Sequence, residues 1–198
     1  MRTRSVSVML VALVLGFSAL AIPAPAVADD GYKNLPVAKA NPHISREVIV
    51  SLPEVMQKSD VKIADDIRPG TLFYYPNGQL VEGQERRALE LAARCHSILI
   101  GALPGGAWSG ESRCQTALLG RPGLKAYYEW NTNAASEGSA CLQVRGFNTS
   151  GSRTWYNAGC GTAGNVTVNW GNVAAYPAAR ARTYNIVFGW TGFWSGPI

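Results

Sequence analysis

Histidine is nearly absent from this chain of 198 residues: it has two, His43 and His96. Any Ser-His-Asp relay would have to use one of them. Gly106-Ala107-Trp108-Ser109-Gly110 has a superficial look of a nucleophile elbow. It lacks the Gly-x-Ser-x-Gly order and a preceding buried strand. Carboxylates thin out toward the C-terminus, where Glu129 and Glu137 are the two that follow Gly120. Glu137 sits in an Ala-Ala-Ser-Glu-Gly loop, a poor position for the paired carboxylates that a glycosidase sets about 5 to 9.5 Å apart. There is no C-x-x-C pair, so a tetrahedral zinc site lacks its usual ligands and spacing. No phosphate-cradling glycine loop and no dinucleotide fingerprint occurs. Lysine and arginine are scattered, without the stripe a nucleic-acid site needs. These absences predict a protein that is not an enzyme, with no cofactor, no metal and no nucleic-acid partner. A hydrolase or a protease inhibitor is the distant alternative. The first would need His96 as its base, and the second would need the loop from Pro104 to Ser112 to be exposed and rigid.

The N-terminus does carry a clear pattern. Arg2 and Arg4 precede an apolar run from Val8 to Phe17, and Ala26-Val27-Ala28 ends the stretch before Asp29-Asp30. A basic start, a short apolar run and small residues at the end predict a secretion signal over residues 1–28. The run is too short for the roughly 20 residues that span a bilayer, and no stop-transfer segment follows. The mature chain is therefore expected to be secreted and extracellular, without a membrane span. Formal charge is +5 for the whole chain, and loss of Arg2 and Arg4 leaves +3. From Asp29 to Gly120 there are ten basic and eleven acidic residues; from Arg121 to Ile198 there are six and two, a net +4. That balance suits an acidic partner or an anionic wall. Four cysteines, an even count in an exported chain, predict disulfides. Cys95 and Cys114 are nineteen positions apart, and so are Cys141 and Cys160. This equal spacing favours those two pairs.

The mature chain reads as three parts. Residues 29–59, with Pro36, Pro42 and Pro53, read as an extended flexible arm. Within it Val48-Ile49-Val50-Ser51-Leu52 has strand propensity and can add to a partner's sheet. Residues 60–120 read as a small hairpin and helical unit. Strands at 71–75 and 79–81 would flank the turn Pro76-Asn77-Gly78. A helix would run from Gly83 to about Ile100, with a second from Glu111 to Leu119, stapled by Cys95–Cys114. Residues 121–198 read as an antiparallel β domain, a small sandwich or barrel with a Cys141–Cys160 bridge. The chain as a whole is then α+β. If Cys141 faces Cys160, paired positions sum to 301, the hairpin tip falls at Ser150-Gly151, and Gly146 lies opposite Trp155. Aromatics crowd the last third. Trp190, Phe193 and Trp194 sit among Thr-Gly and Ser-Gly-Pro and stand out as surface candidates, for a protein interface or for stacking on sugars.

One stretch carries a resemblance. Ala140-Cys141-Leu142-Gln143-Val144-Arg145-Gly146-Phe147-Asn148, Thr154-Trp155-Tyr156, Gly159-Cys160-Gly161 and Trp170-Gly171-Asn172-Val173 resemble small exported β-domain proteins of actinobacteria. Among these the chain is similar to the adaptor subunit of secreted umbrella toxin particles, from about Leu124 to Arg182. That resemblance implies a toxin complex in which an adaptor links a lectin subunit to a large toxin subunit and inserts an extended N-terminal segment into it. The unit with Cys95 and Cys114 has no counterpart in that pattern. Residues and resemblance together predict a secreted binding or adaptor protein that uses Val48, Ile49 and Val50 in the arm and Trp190, Phe193 and Trp194 in the tail. A carbohydrate- or cell-wall-binding module is the alternative.

Overall fold

A computed structural model describes residues 29–84, 97–132, 140–184 and 188–197. The expected signal segment (residues 1–28), Cys95, His96 and Glu137 lie outside the described residues. The chain is mainly β, with a few short helices at the N-terminal end.

The segment expected to be an extended arm is helical. It forms α1 (Asp29–Lys33), α2 (Pro36–Ala40), α3 (Arg46–Ser51) and α4 (Glu54–Gln57). Two of the three prolines stand at helix starts, and Pro42 lies in the turn between α2 and α3. Pro36 is at the first positions of α2 and Pro53 is the N-cap of α4, places where a missing N–H and a fixed φ cost nothing. Ser45 caps α3, its Oγ accepting from the Val48 N–H. The Glu47 carboxyl in that first turn is held below its ordinary range by its own backbone N–H, then by the Ser45 hydroxyl. Burial explains why helix beats strand propensity here. Val48, Ile49 and Leu52 are buried while Val50 is 48% exposed. A strand would put Val48 and Val50 on one face, whereas a helix groups positions i, i+1 and i+4.

These helices cover a small sheet in the order β1-β10-β5-β2, made of β1 (Lys62–Ile63), β2 (Phe73–Tyr74), β5 (Ala117–Leu119) and β10 (Val173–Ala175). Its alternation serves two cores at once. Ala117, Leu119 and Ala174 join Val37, Ile49, Met56 and Phe73 beneath the helices. Leu118, Val173 and Ala175 face the other way, into a second core with Trp130, Trp170 and Phe147. Buried Asn41 fastens the helices to β1: its Nδ2 donates to the carbonyls of Val37 and Val61, and its Oδ1 accepts from Ile63 N–H.

Two further sheets share that second core. One runs β4 (Ser112–Arg113), β11 (Ala178–Arg182), β7 (Ala140–Phe147), β8 (Arg153–Gly161). The other runs β3 (Ser97–Ala102), β12 (Phe188–Pro197), β6 (Lys125–Thr132), β9 (Ala163–Asn169). Hydrogen bonds cross between them, from Trp130 Nε1 to Ala158 O and from Tyr128 Oη to Arg145 O, both 3.0 Å. Burial holds the Tyr128 hydroxyl well above its usual range, so it stays a protonated donor.

Three expectations for residues 60–120 change. The segment 97–100, expected as a helix end, is strand. Its Ile98 and Ile100 are buried and Leu99 is 75% exposed, a period of two. The second helix expected over Glu111–Leu119 is instead β4 and β5, with a corner between them. β4 pairs with β11 and β5 with β10, and the chain turns the same corner at Tyr176-Pro177 on its way from β10 to β11. The partition near residue 120 does not divide the structure, because β1, β3, β4 and β5 all pair with β10, β11 or β12. The turn at Pro76-Asn77-Gly78 is present, with Tyr75 N–H donating to Gln79 O and Gly78 at φ +80°.

The β7–β8 hairpin carries the Cys141–Cys160 disulfide. Ala140, Cys141 and Leu142 face Gly161, Cys160 and Gly159, as the sum of 301 requires. Then the register shifts by one. Gln143 faces Asn157, leaving Ala158 as a bulge, and Gly146 faces Thr154 rather than Trp155. The bulge turns the Ala158 carbonyl toward Trp130. Gly146 still lies under an aromatic: a Cβ there would meet Tyr156 Cε2 at 2.6 Å. Cys114 is also disulfide-bonded; the Cys95 end of the expected bridge lies outside the described residues.

Candidate functional site

β11 reads Ala178-Ala179-Arg180-Ala181-Arg182. Ala179 and Ala181 enter the shared core, so the period of two sends Arg180 and Arg182 to the outward face. The segment from Gly105 to Cys114 is laced along β11. Gly105, Gly106, Ser109 and Cys114 donate backbone N–H groups to Tyr184, Thr183, Ala181 and Pro177 carbonyls. Ser109 Oγ in turn accepts from Ala181 N–H at 3.0 Å. This lacing sets Trp108 beside the two arginines. On the far side, β7 puts Gln143 opposite Arg180 and β8 brings Trp155.

The result is a ladder of alternating rings and guanidinium groups. Arg180 lies 4.6 Å from the Trp155 ring centre and 5.3 Å from that of Trp108. Arg182 lies 4.8 Å from Trp108 and 5.8 Å from Tyr184. Tyr184 rests on Gly106, whose φ is +78° and where a Cβ would stand 2.5 Å from the ring. Each contact of this kind contributes about 0.5–1 kcal/mol at an exposed site. The ladder therefore holds its side chains in place ahead of any ligand, which lowers the ordering cost of binding. Arg180 Nε and Nη2 both donate to Gln143 Oε1, at 2.9 and 2.6 Å. Arg182 Nε is buried without a hydrogen-bond partner. Among the described residues no carboxylate pairs with either arginine. Trp108, Trp155, Arg180 and Arg182 are half-buried and Tyr184 is exposed.

A second cluster of charge is internal. Arg145 on β7 is 1% exposed; its Nη1 donates to Asp66 Oδ2 at 2.8 Å and to Tyr176 O at 3.1 Å, and its Nη2 pairs with Glu111. Arg113 and Arg153 reach the same two carboxylates from outside, each at 3.2 Å. Each of the two carboxylates meets two arginines, and the buried Arg145 Nε has no hydrogen-bond partner; the cluster is a structural joint between β4, β7, β8, the segment after β1 and the corner before β11. A cleft of about 580 Å³ beside it is lined by His43, Arg68 and Ser152 among others.

The residues singled out from sequence are not brought together. Val48 and Ile49 are buried beneath the helices, while Val50 lines an open cleft with Val55 and Tyr75. Trp190, Phe193 and Trp194 lie on β12, flanked on both sides by β3 and β6. Trp190 holds register with Ile100, Phe193 with Ser97 and Glu129, and Trp194 with Tyr128. Sequence reasoning missed Arg180, Arg182, Trp108 and Arg145. The alternation Ala-Arg-Ala-Arg was a signal for the first two. Trp108 joins them only through the lacing of a distant loop. No described helix is long and apolar enough to cross a membrane. Comparison with family models, curated proteins and solved structures gives no match to this chain.

Proposed function

We propose that this chain is an exported, non-catalytic interaction module, an adaptor that engages a secreted partner protein through the arginine–aromatic face built on β11. In this reading the two larger sheets form a small sandwich, and the helical segment 29–59 supports it rather than donating a strand. The observation that carries the proposal is the pair Arg180 and Arg182, held between rings and, among the described residues, without a carboxylate partner. Arginine, tryptophan and tyrosine are the side chains that concentrate binding energy at protein interfaces. The resemblance to actinobacterial adaptor subunits supports the same class of function.

A glycan-binding module is the second reading. In its favour stands a cleft of about 510 Å³ lined by Asn148, Asn169 and Asn172 among others. All three amides are already engaged, Asn169 with Phe147 O, Asn172 with Asp60, and Asn148 Oδ1 with Ser150 and Ser152, and the partner-protein reading is preferred. The test is recovery of partners from the producing organism's culture supernatant, with tagged mature protein and its R180E/R182E variant side by side. A stoichiometric secreted partner is expected with the native face, and at least a ten-fold loss with the reversed charges. Equal recovery by both would move the contact off this face. Retention on cell-wall glycan by both would favour the second reading.

A further inference from the structure

Resting on that reading, the geometry points to the chemistry of the partner: we propose that the β11 face binds an extended acidic peptide segment with carboxylates at alternate positions. The aromatic faces of the ladder are turned to guanidinium groups, with Arg180 between Trp155 and Trp108, and Arg182 between Trp108 and Tyr184. Each of these contacts occupies a ring face on which a neutral sugar would otherwise stack. What remains for a ligand is the N–H edge of each guanidinium, a fork that matches a carboxylate bidentately.

Arg180 keeps Nη1 free of the Gln143 bond, and Arg182, whose Nε is buried out of a ligand's reach, presents its terminal Nη1 and Nη2 groups. Charge complementarity sets the sign. Arg113, Arg145 and Arg153 each pair with Asp66 or Glu111. Beyond Gly120 the sequence supplies only Glu129 and Glu137 as carboxylates, and Glu129 is on β6, in the other sheet. Among the described residues the β11 face is thus a cationic site without a carboxylate of its own.

Spacing sets the form of the ligand. Arg180 and Arg182 are two positions apart on one strand, about 6.6 Å along it. An extended peptide repeats its same-face side chains at that distance. Acidic residues at i and i+2 therefore meet both arginines, while adjacent acidic residues point to opposite sides.

The experiment is fluorescence anisotropy with three labelled ten-residue peptides on the mature protein at low salt. One has glutamate at alternate positions, one has the same glutamates in a consecutive block, and one has glutamine in their place. Inorganic polyphosphate serves as a competitor of different chemistry. The alternating peptide is expected to bind at least ten-fold tighter than the glutamine peptide and several-fold tighter than the block. R180Q and R182Q should each weaken it five-fold or more. R180K/R182K, which keeps charge and fold but removes the fork, should also weaken it. Equal binding of alternating and block peptides, or an unchanged affinity in R180Q and R182Q, overturns the proposal. So does polyphosphate outcompeting the alternating peptide at equal charge concentration, because that makes the site a general anion surface. Failure of these peptides together with loss of partner in R180E/R182E would reject the acidic-strand chemistry alone. Failure of both experiments rejects the binding face itself.

Discussion

Replacing Arg145 by methionine is expected to lower stability by about 3 kcal/mol, the low end of the range for breaking a buried ion pair. Methionine fills much of the volume, so the loss is mainly electrostatic. Asp66 and Glu111 would lose their common partner, and the Tyr176 carbonyl would lose a donor. The two carboxylates are 21% and 24% exposed, so water takes up part of the released charge and the upper end of the range is out of reach. For a chain of this size the loss corresponds to roughly 6–12 °C in melting temperature. The same change made in a D66N/E111Q background should cost much less, since no uncompensated charge is then left behind. Thermal unfolding of the four proteins checks this. A melting temperature for R145M within about 2 °C of the native value would mean that the cluster does not hold the joint between β7 and the β10–β11 corner.

Deletion of residues 29–59 should not leave a folded protein that has merely lost its partner. The helices bury Ile63, Phe73, Ala117, Leu119 and Ala174, and removing them uncovers one whole face of the small sheet. An apolar patch of that kind drives association. The expected result is an aggregated or dye-binding product, and the milder I49A should cost about 3 kcal/mol, as for other fully buried isoleucines. Size-exclusion chromatography and denaturant unfolding measure both. A monodisperse deletion product with native tertiary signals would show that the helical segment is dispensable to the fold and would restore it as a free arm.

That segment shows where sequence reading runs out. Val48-Ile49-Val50 favours a strand by residue type, and the helix wins through the Ser45 cap and the burial of Val48, Ile49 and Leu52. Caps and proline positions were visible; the surface they pack on was not, because it comes from strands of two or three residues. Such strands have no measurable period, and β1 and β2 pair in parallel with β10 and β5, contacts that no local pattern announces. The longer strands were legible. β7 (Ala140–Phe147) falls within the expected β domain, and the facing of Cys141 and Cys160 set the first three pairs of its hairpin. The bulge at Ala158 was invisible because the Trp130 indole that bonds its carbonyl sits on another sheet. The same holds for the binding face. Arg180 and Arg182 announce an outward strand face, but their rings come from Trp108 in a distant loop and Trp155 on another hairpin.

The most direct test follows Trp108 and Trp155 indole signals and Arg180 and Arg182 side-chain N–H signals by NMR while the alternating-glutamate peptide is titrated in. Saturable shifts confined to these groups and to Tyr184 are expected. Shifts centred on the helices of residues 29–57, with the β11 face silent, would contradict the assignment of this face as the binding surface.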